Sequence, residues 1–144
     1  MDGRWKFTLA VAVAAAGLAV TALSVSRHLG GGPRPFEQRP VPADQFHRID
    51  TLSVELLALQ GAARRSRLEE VASPKARAED IQAVAALLEA MAEAPRWRLA
   101  HADAYGPHLV KAIYEVEDRQ GRAEPVAIHF ERTEEGMAVL GPAP

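Results

Sequence analysis

The spacing of apolar residues divides the chain into three stretches. Phe7 to Val25 is mostly apolar, with no charged residue between Lys6 and Arg27. Further on, Phe46, Ile49, Leu52, Leu56, Leu59 and Ala63 recur every three or four positions, which is one face of a helix. Beyond Trp97 the period falls to two, the signature of half-buried strands.

The middle stretch predicts two amphipathic helices. Asp44 is the expected cap of the first, which starts at Gln45. Gly61 weakens its far end, and Leu68 and Val71 either continue it or form a short helix of their own. Ser73 is the expected cap of the second, with Pro74 at its first position. Ile81, Val84, Leu88 and Met91 make its apolar stripe, and Pro95 stops it.

The last stretch predicts four antiparallel strands. Arg119-Gln120-Gly121 suits a three-residue hairpin loop with glycine in the left-handed position. That loop sets Tyr114 against Val126, Ala112 against Ile128 and Val110 against Phe130, all apolar pairs. A two-residue turn at Gly106-Pro107 sets Leu99 against Tyr114 and Trp97 against Val116. A three-residue loop at Glu134-Glu135-Gly136 sets Phe130 against Leu140. The fold class is therefore α+β: an N-terminal transmembrane signal-anchor helix, then two amphipathic helices packed on a four-stranded antiparallel meander. From Asp44 to Leu140 this order of elements is similar in outline to cystatin-like, NTF2-like and PepSY-type modules. It carries no signature motif of any of them and assigns no family.

The apolar run sets the expected location. Its 19 residues would span about 28 Å as a helix, close to the thickness of a bilayer's hydrocarbon core. Arg4 and Lys6 precede it. Two other readings are a signal peptide cleaved near Ser24, which gives a secreted domain, and a buried helix of a soluble protein. The first reading divides the chain into an anchor (1–28), a Gly/Pro-rich linker (29–42) with Gly30-Gly31-Gly32-Pro33-Arg34-Pro35 at its start, and an extracytoplasmic domain (43–144). Arginine far outnumbers lysine, as in GC-rich coding, so the expected setting is a bacterial inner membrane with the domain in the periplasm.

Composition narrows the chemistry. The net charge of -2 gives no basis for phosphate neutralisation, so no nucleic-acid partner is expected. The absence of cysteine removes disulfides, thiolate metal sites and thiol nucleophiles. No phosphate loop, zinc-protease helix, nucleophile elbow or calcium loop is present. No cofactor, metal or catalytic residue is expected.

Two candidate sites remain. If the helices leave the concave sheet face open, Trp97, His101, Asp103 and Tyr114 would line a small-ligand pocket. His101 is expected on that apolar face near Ala112 and Ile128, with His129 on the other face opposite Lys111. On the outer face, Ile113, Ala127 and Val139 form a candidate partner patch. The stripe of the first helix could instead serve as a homodimer seam. Arg64, Arg65 and Arg67 read as a solvated helix end or a headgroup contact. The leading expectation is a membrane-anchored accessory or assembly protein with envelope protein partners and no catalysis. Ligand binding or weak enzymatic activity is the alternative.

Overall fold

The computed structural model describes residues 38–144. The apolar run Phe7–Val25 and the start of the linker lie outside the described residues. Among the described residues, no helix is long and apolar enough to cross a membrane.

The order of elements is β1 (Arg39–Pro40), α1 (Ala43–Ala58), α2 (Gly61–Val71), α3 (Ala78–Glu93), β2 (Arg96–Tyr105), β3 (Leu109–Glu117), β4 (Ala123–Thr133) and β5 (Gly136–Pro142). The fold is α+β, with three helices on one antiparallel sheet of order β1-β2-β3-β4-β5. Two helices and four strands were expected, so each layer gains one element.

The additional strand comes from the expected linker. Arg39 pairs with Ala104 and Pro40 with Asp103, and the Val41 N–H donates to the Ala102 carbonyl at 3.0 Å. Proline is tolerated on an edge strand, where no ladder needs its missing N–H. The additional helix arises where the chain breaks after Leu59, whose backbone is extended. Gly61 takes φ +52°, a left-handed conformation open to glycine at no steric cost.

Arg64 then turns back on the corner. Its Nε donates to the Leu56 carbonyl at 3.0 Å and its Nη2 to the Leu59 carbonyl at 2.5 Å. These are carbonyls that the end of α1 would otherwise leave unpaired. Arg67 pairs with Glu55 and Glu70. The basic cluster thus holds one helix end to another.

Both expected caps are displaced. Pro42 occupies the cap position of α1, and its carbonyl accepts from Gln45 N and Phe46 N at 3.0 Å each. Asp44 sits in the first turn, where a carboxylate suits the helix dipole. Helix α3 starts at Ala78 rather than after Ser73. Ser73 instead forms a turn with Ala76, and its N–H donates to the Val139 carbonyl at 2.8 Å. The Ser73 hydroxyl donates to Glu131, whose other oxygen takes Lys75 Nζ at 2.8 Å. These bonds hold the Glu131 carboxyl below its usual pKa, Lys75 contributing most.

The core lies between the helices and one sheet face. Ile49 and Leu56 of α1, Leu68 of α2, and Val84, Leu88 and Met91 of α3 pack with Leu99, Val110, Ala112, Tyr114, Val116, Val126, Ile128, Phe130 and Val139. The α1 stripe, a candidate dimer seam, buries Ile49 and Leu56 in this core. Gly141 lies so close to α3 that an added Cβ would stand 3.0 Å from the Asp80 Cβ.

Candidate functional site: the two faces of the sheet

The central hairpin follows its sequence. Glu117 pairs with Ala123, Gly121 takes φ +78°, and the Asp118 carboxylate accepts from the backbone of Gln120 and Arg122. The three expected pairs Tyr114–Val126, Ala112–Ile128 and Val110–Phe130 are all present. The flanking hairpins each depart by one residue and then recover it.

Between β2 and β3 the loop has three residues, since Tyr105 pairs with Leu109. A bulge between Leu99 and His101 absorbs the difference, so Leu99–Tyr114 and Trp97–Val116 form as expected. Between loop and bulge, every residue of β2 is turned over relative to the expectation. His101 pairs with Ile113 and Asp103 with Lys111, on the outer face, while Ala102 takes the inward position against Ala112. An alanine is thereby buried where an imidazole would have needed a partner.

The β4–β5 hairpin makes the opposite change. Its loop has two residues, with Thr133 opposite Gly136, and a bulge follows between Val139 and Gly141. Phe130 therefore faces Val139, not Leu140. Val139 is 1% exposed and belongs to the core rather than to the outer patch. Ile113 and Ala127 do pair with each other on the outer face.

The four candidate pocket residues are divided between the faces. Tyr114 is buried on the inner side, its ring 6.2 Å from that of Trp97. Its hydroxyl lies 2.7 Å from Ser53 Oγ, and Ser53 in turn donates to the Ile49 carbonyl at 2.6 Å. With the serine proton used on Ile49, the tyrosine is the donor. Burial pushes its pKa well above the ordinary tyrosine range, with Asp50 adding to the rise and the Ser53 bond opposing it. This phenol is a structural group.

His101 and Asp103 stand on the other face. Asp103 is 8% exposed, and its Oδ2 accepts from Gln38 Nε2 at 2.7 Å and lies 3.7 Å from His101 Nε2. Tyr105 follows on the same face, its pKa raised by burial and by Asp103. His129 lies across β3 beside Lys111, and its pKa is lowered by burial first and by that ammonium second. Both histidines thus share one face, contrary to the expected separation by the sheet. Among the described residues, no three His, Asp or Glu side chains converge as a metal site.

A cleft of about 470 Å³ opens beside Trp97. Its walls are Pro95, Arg96, Arg98, Glu115, Glu117 and Ala123, so Trp97 alone is shared with the expected pocket. Arg98 crosses it to Glu115 with Nη2 at 2.6 Å from Oε2. The alternation of Arg96 and Arg98 with Trp97 was visible in the sequence, but β-pairing is needed to bring Glu115 and Glu117 beside them. No family model, no curated protein and no solved structure matches the chain.

Proposed function

We propose that this chain is a membrane-anchored extracytoplasmic accessory or assembly protein that works through protein–protein contacts and not by catalysis. In this reading Phe7–Val25 holds it in the bilayer, the Gly/Pro stretch spaces it from the surface, and the outer sheet face meets an envelope partner. The observation that carries the reading is the one-sidedness of the sheet. All three described helices join the core through the inner face. The outer face presents the Ile113–Ala127 pair with His101, Lys111, His129 and the Arg98–Glu115 bridge around it. A small apolar centre with a polar surround is the usual anatomy of a protein contact.

The lack of cysteine makes the test clean. Ile113→Cys and Ala127→Cys place single thiols on the proposed surface, and Gln120→Cys places one on the exposed hairpin loop. In native membranes, a thiol cross-linker should give a discrete adduct from the first two positions and not from the third. Equal adducts from all three, or recovery of the chain in the soluble fraction, would overturn the proposal.

A further inference from the structure

Strand β2 has ten residues and β1 has two. The β1 ladder meets Ala104 and Asp103 and ends at the bond from Val41 to Ala102. From Arg96 to Ala100, therefore, β2 has no strand on its free side among the described residues. Along such an edge, backbone N–H and C=O groups stand ready to pair with another chain. The bulge bounds this strip at one end. Along it Pro95, Arg96 and Arg98 are exposed, and the cleft beside Trp97 lies on the paired side of the strand, over β2 and β3.

We infer that this strip docks an extended segment of a partner protein as an added strand, with acidic side chains at alternate positions and apolar ones between. The inference rests on the protein-contact reading above and supplies its mode. Recognition of this kind draws affinity from main-chain bonds and specificity from alternate side chains.

The charge pattern selects the occupant. A strand added to β2 would lie about 4.8 Å away, with Arg96 and Arg98 as its nearest outer-face neighbours. Glu115 and Glu117 stand one strand further, at about 10 Å. A carboxylate on the added strand would place Arg98 between itself and Glu115, while Arg96 forms no ion pair among the described residues. On the inner side the neighbours are half-buried Trp97 and buried Leu99, which suit an apolar side chain. A second copy fits poorly, because antiparallel pairing of the strip with itself sets arginine against arginine. The chain's own spacer lacks backbone donors at Pro33 and Pro35.

Amide hydrogen exchange on the full chain tests the inference, with three synthetic hexapeptides as probes. One alternates Glu and Val, one alternates Lys and Val, and one is the Glu peptide with a central proline. The Glu peptide should slow exchange in the Arg96–Ala100 backbone. The Lys and proline peptides should bind about tenfold more weakly or worse, and Arg96→Glu should reverse the charge preference. Equal protection by the Glu and Lys peptides, or none at millimolar peptide, overturns the inference. So does concentration-dependent protection without peptide, which would identify a second copy. Cross-linking from Arg96→Cys separates the two claims. Adducts from Ile113→Cys but not from Arg96→Cys refute the strip alone, whereas adducts from neither refute the protein-contact reading as well.

Discussion

The central hairpin and its two neighbours are built from similar alternating residues, yet only the central one pairs as a simple alternation. In β3–β4 the loop length and the hydrophobic pattern agree along nine consecutive pairs. In β2–β3 and β4–β5 the loop is one residue longer or shorter than the pattern implies, and a bulge restores the register further along. Agreement at the far end of a hairpin therefore says little about the faces near its turn. Leu99 and Trp97 are placed correctly by an argument that puts His101 and Asp103 on the wrong side.

Deleting one residue tests this contrast most strongly. Loss of Ile113 would turn over half of β3 and expel Val110 and Ala112 from the core. Unfolding should lose its cooperative transition, as expected when a mutation costs more than about 4 kcal/mol. Loss of Ala100 joins Leu99 directly to His101 opposite Tyr114 and Ile113, an unbroken ladder with every face kept. Its cost should stay near 1–2 kcal/mol, read by denaturant titration. Comparable losses from the two deletions would refute the description of Ala100 as the extra residue.

Aspartate substitutions at one position on β5 and one on β3 separate the two faces of the sheet. Val139→Asp buries a carboxylate in the core and should cost about 3–5 kcal/mol. Ile113→Asp on the outer face should stay within about 1 kcal/mol. The reverse ranking would restore Val139 to the outer patch. In the central loop, Gly121→Ala forces a side chain into a left-handed backbone and should cost about 1 kcal/mol.

The smallest expected effect is a dependence on pH. The imidazole of His129 has a lowered pKa in the folded chain, so the unfolded chain takes up a proton first as the solution is acidified. The stabilisation is complete above the ordinary histidine pKa of about 6.5 and is lost as pH falls below it. His129→Gln should flatten the stability profile between neutral and mildly acidic pH. An unchanged slope would mean that this imidazole is no more sheltered than in the unfolded chain.

Much of the architecture is legible in the sequence because the inner residues of β3 and β4 admit one register only. What is not legible has particular causes. Ala100 is itself an ordinary strand residue and nothing local announces its bulge, whereas Gly141, directly after Leu140, is the single local hint of the second. The expected linker contains prolines, which argues against a strand until an edge position is considered. Gly61 did signal the break in the first helix, but its consequence, a separate helix whose Arg64 caps the end of the first, depends on carbonyls that only the folded corner presents. Of the candidate sites, the aromatic pair was readable from the hairpin, whereas His101 and Asp103 turn on a single inserted residue.

The short strand β1 also has a mechanical meaning. Tension arriving along the chain before Gln38 meets the Arg39–Ala104 and Pro40–Asp103 pairs and the Gln38–Asp103 bond before it meets any helix. A clasp this small lets go first and releases Arg39 to Val41. It adds about 10 Å of extended chain ahead of the helices while the body of the fold stays shut.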